Sequence, residues 1–271
     1  MTGLPAIGGY RAELLIQGFP GKSLENGGLG WSAVALLRGH GRVVLVDTGS
    51  FSARRILLAR LAERGLTRHD VTDLLLTHAH YDHMMNWTLF PAASIAIGGA
   101  ELDHALAEPI ETSLGAELYV QALAASPQLR RLAAGAEALP DIQTIAAPGH
   151  TPHHLAFVLD GPEGRLILAA DAVKNRAELL AASAVSTQDG AASGVTIARI
   201  GALWRERLGA VLVMGHDLPL ANDGAEGTYL GDRRAAILGW FGRSPDQSRI
   251  FRLDASDGAE AVPTLDIRTS T

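Results

Sequence analysis

The chain has 271 residues, of which 47% are hydrophobic and 19% charged, and it carries a net charge of −6 and no cysteine. This composition favours one compact soluble domain over residues 1–271, and the lack of cysteine excludes disulfides, thiolate nucleophiles and thiolate metal ligands. Because there is no basic run and no long apolar segment, we expect a cytoplasmic protein with a small-molecule substrate and no membrane contact. A nucleic-acid partner is disfavoured, and a homo-oligomer stays open.

The N-terminal third of the chain predicts strands separated by one helix and one glycine-rich connection. The strands are expected at residues 10–18, 31–38, 42–46 and 71–76. Residues 19–30 connect the first two strands, because their glycines favour turns. The helix is expected to end near residue 64 and to be capped by Ser50 or Ser52. Strands and helices in this order are typical of α/β proteins.

The remainder of the chain predicts further strands and several helices. Strands are expected at residues 93–97, 142–146, 155–159, 165–169 and 210–214, and helices at residues 194–208 and 232–241. Residues 101–139 are rich in alanine, leucine and glutamate, which predicts two or three helices. These helices either cover the site as a substrate lid or are a structural excursion without a role at the site. The domain core is expected at residues 10–225, followed by a C-terminal helix and tail over residues 226–271.

Side chains that can bind a metal follow the buried strands at the point where each strand ends. The strand at residues 71–76 is followed by His78, His80, Asp82 and His83, and other strands end near Asp47, His150, Asp171 and His216. A lone histidine after a strand is usually a surface residue, but several donors at the same kind of position are better explained by one convergent site. Imidazole and carboxylate ligands suit zinc, manganese or iron.

Asp47 ends a buried strand, where a carboxylate without hydrogen bonds would be costly. We therefore expect Asp47 to accept hydrogen bonds from the backbone or from a ligand histidine. In the second case it would bind the ring nitrogen that does not face the metal and so orient the ligand. The alternative is an ordinary turn aspartate, because the sequence Asp-Thr-Gly is also typical of turns.

The order of these motifs resembles that of the metallo-β-lactamase superfamily. Its HxHxDH motif corresponds to residues 78–83, preceded by Asp-Thr-Gly at residues 47–49 and followed by Gly-His-Thr-Pro at residues 149–152, a lone Asp171 and Gly-His-Asp at residues 215–217. The resemblance implies an α/β (α+β) fold, the four-layer αββα sandwich, with a two-metal site at one edge. It also implies the ligands: His78, His80 and His150 for one metal, Asp82, His83 and His216 for the other, and Asp171 bridging both.

The same resemblance implies a hydrolase. Two divalent cations, zinc first with manganese or iron as alternatives, would lie about 3.5–4 Å apart and share a bridging hydroxide. The hydroxide would attack a small ester, lactone or related carbonyl substrate, and Asp82 would act as the catalytic residue that accepts or delivers a proton. The alternatives are a thioesterase of the glyoxalase II type, a phosphodiesterase or nuclease, a mononuclear-iron persulfide dioxygenase, and a non-catalytic metal-binding module.

Departures from the family pattern concern the substrate. His153 replaces a glycine, whereas His154 keeps a histidine and is a candidate substrate-binding residue unless both positions are structural. Trp87 either walls the pocket or belongs to the core. Lys174 lies where acyl-homoserine lactonases of the superfamily carry a tyrosine, and it either binds a substrate carboxylate or leaving oxygen or is a solvated surface lysine. The stretch HAHYDHMMNWTLFP also resembles the animal metallo-β-lactamase-domain-containing proteins.

Overall fold

The computed structural model of the chain describes residues 3–23, 27–28, 31–111 and 113–253. The strands of its first half are β1 (Gly3–Ile7), β2 (Tyr10–Ile16), β3 (Lys22–Ser23), β4 (Gly27–Gly28), β5 (Val34–Gly39), β6 (Arg42–Val46), β7 (Asp73–Leu76), β8 (Ser94–Gly98) and β9 (Leu129–Leu132). The α-helices of this half are α1 (Arg54–Ala62), α2 (Tyr81–Met84), α3 (Gly99–Ala107) and α4 (Glu117–Ala124), with short 3-10 helices at Phe51–Ala53 and Trp87–Leu89.

The second half is again a mixture of strands and helices. Its strands are β10 (Glu137–Leu139), β11 (Ile142–Ala146), β12 (Leu155–Gly161), β13 (Gly164–Ala170), β14 (Val211–Met214), β15 (Leu220–Ala221), β16 (Thr228–Tyr229), β17 (Ala236–Trp240) and β18 (Ser248–Arg252). Its helices are α5 (Arg176–Ala181) and α6 (Gly190–Arg205). No helix in the described part of the chain is long and apolar enough to span a bilayer.

The chain divides into two compact units, residues 1–232 and residues 233–271. The first unit contains two seven-stranded sheets, with the strand orders β1-β2-β5-β6-β7-β8-β9 and β10-β11-β12-β13-β14-β15-β16. Strands β6 to β9 run parallel to one another, as do β13 and β14. The second unit contains the hairpin of β17 and β18. The single domain over residues 1–271 stays a prediction.

Three apolar clusters give the first unit four layers. Side chains alternate along a strand, so Leu37 of β5 packs between the two sheets, whereas its neighbour Leu36 packs on the outer face. The cluster between the sheets combines residues of both, such as Val44 and Phe157. The outer face of the first sheet packs against α1, α3 and α4, and that of the second sheet against α5 and α6. The predicted αββα sandwich is confirmed.

The helical prediction for residues 101–139 is right only for its first part. Helices α3 and α4 lie at residues 99–107 and 117–124, but residues 129–132 form β9 and residues 137–139 form β10. Strand β9 pairs in parallel with β8, and β10 pairs with β11, so each strand extends a sheet edge. Backbone pairing outweighs a local preference for helix in both strands. For β9 the partner lies well before it in the chain, which local composition does not reveal.

The C-terminal helix predicted at residues 232–241 is wrong, because residues 236–240 form strand β17 and pair with β18. Gly239 and Gly242 disfavour a helix, and isoleucine and aromatic side chains suit a strand. The predicted serine cap does not form on α1, whose N-cap is Ala53. Ser50 occupies the N-cap position of the preceding 3-10 helix without a capping hydrogen bond from its side chain, and its hydroxyl hydrogen-bonds that of Ser52. Residues 24–26 and 29–30 of the glycine-rich connection and the tail beyond residue 253 lie outside the described residues.

Candidate metal centre

Loops at one edge of the sandwich bring the predicted metal ligands together. The loop after β7 and helix α2 carries the HxHxDH residues, and the loops after β11, β13 and β14 carry the others. Six of the seven side chains are buried, and that of the seventh, His216, has a relative exposure of 18%. The seven residues are His78, His80, Asp82, His83, His150, Asp171 and His216.

Three groups of these side chains have donor atoms within 4.8 Å of one another. The groups are His78 with His80 and His150, His78 with His83 and Asp171, and Asp82 with His83 and His216. Asp171 lies between the first and the third group: its Oδ2 is 3.2 Å from His150 Nε2 and its Oδ1 is 3.1 Å from His83 Nε2. The structure therefore brings together the two predicted ligand sets and the predicted bridging carboxylate.

Burial keeps the three histidines of the first group neutral. It lowers the pKa of His78 and His150 well below the usual value and lowers the pKa of His80 to about 4. A neutral imidazole has one ring nitrogen with a free lone pair, which is the form that binds a metal. The first group is therefore ready for a cation without releasing protons.

Carboxylates have the opposite effect on the third group. Burial alone would lower the pKa of His83, but Asp171, Asp82 and Asp47 raise it well above its usual value. Burial likewise opposes the raised pKa of His216, for which Asp171 is the main favourable partner. The neighbouring histidines in turn hold the pKa of Asp171 well below its usual range, against the effect of burial. A divalent cation would replace the protons that these pairs share.

The donor set fits a divalent cation. His78 Nε2 is buried and has no hydrogen-bond partner among the described residues. A buried polar atom without a partner is costly in a folded protein, and metal coordination would remove that cost. Imidazole nitrogens and carboxylate oxygens are ligands that zinc uses in sites without cysteine, and the arrangement leaves the pocket side open for water or substrate.

Asp47 supports this site from behind, as the sequence predicts. Its Oδ2 lies 2.8 Å from His83 Nδ1, and its Oδ1 accepts a hydrogen bond from the Thr77 backbone N–H. Asp47 has a φ of 58°, a left-handed conformation that aspartate and asparagine tolerate better than most residues. The carboxylate fixes His83 with Nδ1 protonated, so that Nε2 is directed at Asp171 and Asp82.

Replacing Asp47 with asparagine is expected to weaken zinc binding about 10–100-fold, the usual cost of losing a hydrogen-bond partner of a metal ligand. Asparagine tolerates the same backbone conformation but presents an N–H to His83 Nδ1, which favours the wrong imidazole tautomer. Competition with a chromophoric chelator measures the affinity. The control is Asp73→Asn, a buried aspartate at the start of β7 that pairs with Arg42. Equal zinc affinity in wild type and Asp47→Asn would refute this role.

A cavity of about 400 Å³ opens onto the donor cluster. Its walls combine donor side chains with apolar ones, among them Phe19, Tyr81, Leu114 and Val185. Leu114 lies in the connection between α3 and α4, and its carbonyl accepts a hydrogen bond from the Tyr81 backbone N–H at 2.9 Å. The helical segment therefore reaches the pocket through this connection.

Both lysines of the chain line the cavity. Lys174 is buried rather than solvated, and its Nζ lies 2.9 Å from Glu178 Oε1. Lys22 lies in β3 within the glycine-rich connection, and its ammonium donates a hydrogen bond to the Ser186 hydroxyl. Sequence reasoning did not single out Lys22, although its rarity was a usable signal.

Trp87 and His154 do not line this cavity, which corrects their prediction as substrate-binding residues. Trp87 is buried in the apolar cluster between the first sheet and its helices. His154 is fully buried, and its ring centroid lies 4.7 Å from that of His78. Burial lowers the pKa of His154 to about 3, so it packs as a neutral ring. With His153, it lines a separate cavity of about 380 Å³.

The model of the metallo-β-lactamase superfamily matches residues 27–217. Human metallo-β-lactamase domain-containing protein 1 is 39% identical over 102 residues, which are 35% of this chain and 38% of the human protein. The chain thus covers less than two thirds of this relative's length, and the same holds for its mouse, rat and Xenopus laevis counterparts.

Solved structures show the same fold. The hydrolase AbOPH of the β-lactamase superfamily has a TM-score of 0.66 at 17% identity, covering 87% of this chain and 99% of that one. AidC, a dizinc quorum-quenching lactonase, has a TM-score of 0.62 at 20% identity, covering 75% of this chain and 80% of that one. At these identities the likeness establishes the architecture.

Proposed function

The chain belongs to the metallo-β-lactamase superfamily, and from this membership we propose that it is a dinuclear metal-dependent hydrolase acting on a small ester, lactone or related carbonyl compound. One observation supports the proposal most strongly: donors from both sheets converge on the buried Asp171, which lines an open cavity of about 400 Å³. A catalytic metal site needs such an opening, whereas a structural zinc site is closed by four protein ligands.

The proposed ligands divide as the sequence predicts. His78, His80 and His150 would hold one cation and Asp82, His83 and His216 the other, with Asp171 between them. Zinc is our first choice, since these are nitrogen and oxygen donors, and manganese or iron are the alternatives. When bound, two such cations would polarise a substrate oxygen and lower the pKa of a water molecule.

The protein's own residues would orient the substrate and move the proton. Asp82 lines the cavity, and its Oδ2 lies 3.4 Å from His216 Nε2. We assign Asp82 the transfer of a proton between the attacking water and the leaving group. His216 Nδ1 lies 3.0 Å from the Trp31 carbonyl, which orients its Nε2 towards Asp82 and Asp171.

The cavity walls favour a substrate with an anionic group and an apolar part. Lys22 and Lys174 supply the positive charge, and Phe19, Leu114 and Val185 supply apolar surface. A carboxylate near the scissile bond would lie next to Lys174, where Glu178 already holds the ammonium in place. A lysine is a compact cation that can bind such a group through a charge-assisted hydrogen bond.

Replacing Lys174 with glutamine is expected to raise KM about tenfold for an ester or lactone that carries a carboxylate, with little change in kcat. Glutamine keeps an N–H donor for Glu178, so no buried carboxylate is left without a partner. The neutral carboxamide of the same compound serves as the substrate control, and Arg176→Gln, whose guanidinium pairs with Glu226, serves as the matched variant. A KM unchanged for the carboxylate substrate would remove Lys174 from the binding site.

The proposed function is tested by metal analysis and a substrate panel. We expect two equivalents of zinc per chain and turnover of a lactone or ester. Faster turnover of a thioester or of single-stranded RNA would favour a thioesterase or a nuclease, and one iron with oxygen uptake on a persulfide would favour the dioxygenase. Absence of stoichiometric metal, or hydrolysis that survives His80→Ala, would overturn the proposal.

A further inference from the structure

A buried glutamate outside the ligand set connects two of the ligand loops. Glu101 lies in the first turn of α3 and is 1% exposed. Its Oε1 accepts a hydrogen bond of 3.1 Å from the Ala79 backbone N–H, and its Oε2 accepts one of 2.7 Å from the Thr151 hydroxyl. Both oxygens are thus used, one on each loop.

The two contacted residues adjoin the three histidines of the first donor group. Ala79 lies between His78 and His80, and Thr151 follows His150. The first loop follows β7 of one sheet and the second follows β11 of the other. A single carboxylate therefore links two loops that belong to different sheets. In the proposed site these loops would place three nitrogen atoms around one cation.

The surroundings of Glu101 indicate that these two hydrogen bonds are the reason for its burial. Within the described ranges, no lysine or arginine forms an ion pair with Glu101, although a buried carboxylate is usually paired. Burial raises its pKa, against the effect of the Thr151 and Ala79 hydrogen bonds. A leucine would be less costly to bury but could form neither hydrogen bond, so the polar side chain is best explained by the two contacts that it makes.

We propose that Glu101 is a positioning residue that sets the geometry of the His78, His80 and His150 group and thereby its affinity for a metal ion. This inference rests on the proposed function for the presence of the metal. Glu101 touches neither the metal position nor the substrate cavity, and it acts through the backbone of the loop at Ala79 and the side chain of Thr151.

Zinc affinity of the single group is the direct test. In a His216→Ala background, which removes a donor from the other group, Glu101→Ala is expected to weaken zinc binding about 10–100-fold in competition with a chelator. Glu101→Gln is expected to stay within about threefold of the background, because its carbonyl can accept from Ala79 and its amide N–H can donate to the Thr151 oxygen. Asp103→Asn, an exposed aspartate on the same helix, is the matched control.

Two further measurements separate positioning from folding. Thr151→Val removes one of the two hydrogen bonds and is expected to weaken zinc binding by an intermediate factor, which keeps the test valid if Glu101→Ala fails to fold. In the otherwise native chain, hydrolysis by Glu101→Ala is expected to recover in excess zinc. Unchanged zinc affinity in Glu101→Ala and Thr151→Val would refute the inference, whereas a wild-type protein that binds no zinc would refute the proposed function instead.

Discussion

Replacing Asp171 with asparagine is expected to reduce the bound metal from two equivalents to one or fewer and to lower kcat/KM by at least about 10²-fold. Removing a hydrogen-bond partner of a ligand already costs about 10–100-fold, and in the proposed site Asp171 would contact both cations directly. Its Oδ1 lies 3.1 Å from His83 Nε2 and 3.3 Å from His216 Nε2, and its Oδ2 lies 3.2 Å from His150 Nε2. Asparagine preserves the shape and removes the negative charge.

Elemental analysis and initial rates measure the two effects together. Asp160→Asn is the matched control. Asp160 lies near the end of β12 that is remote from the ligand loops, is half-exposed and pairs with Arg165. If Asp171→Asn retained two metal equivalents and full activity, Asp171 would not bridge the metals, and the proposed division of ligands would have to be redrawn.

Removing the metal is expected to lower the melting temperature by roughly 5–11 °C and to abolish hydrolysis, and added zinc is expected to restore both. A ligand at about 100 times its Kd stabilises the native state by about 2.7 kcal/mol. For a unit of this size each kcal/mol corresponds to about 2–4 °C. Differential scanning calorimetry with and without a chelator measures the shift. A melting temperature independent of zinc would show that the donor cluster does not bind it under these conditions.

The stabilisation by zinc is expected to grow as pH rises from about 6.5. The carboxylates around His83 raise its pKa in the metal-free fold above the ordinary value of 6.5. The stability that this protonated pair contributes is present below pH 6.5 and is lost as pH rises through the raised pKa. Zinc binding instead requires the neutral imidazole and becomes tighter as protons leave. The gap in melting temperature between the zinc-loaded and metal-free protein therefore widens with pH, and a gap that narrows would contradict this assignment.

Much of the fold could be predicted from local patterns. Short apolar runs bounded by turn residues placed β2, β5, β6, β7 and β8, and the HxHxDH and Gly-His-Thr-Pro motifs placed the loops between elements. The predictions failed at β9, β10 and β17. These strands exist because a partner strand satisfies their backbone hydrogen bonds. The partner of β9 lies far away in the chain, whereas β10 and β17 each pair with the next strand, and local helix propensity revealed neither kind of pairing.

The candidate site divides in the same way. The ligand residues could be named from the order of the motifs, and Asp47 from its place at the end of a buried strand. Lys174 was named as well, but its burial beside Glu178 was not foreseen. Trp87 and His154 lie close to the motifs in sequence, yet their side chains point into packed clusters, because proximity in sequence does not determine which face of a loop a side chain occupies.

The sequence by itself determined the types of ligand, because these depend on residue chemistry, and the resemblance of its motifs in their order determined the superfamily and the αββα class. Only the tertiary structure decided which side chains face the cavity and which hold the ligands in place. Lys22 joins Lys174 at the cavity although 152 positions separate the two residues in the printed chain. Glu101 joins loops from different sheets. Such contacts arise from the packing of two sheets against each other, and the distances that they fix exist only once both sheets have formed.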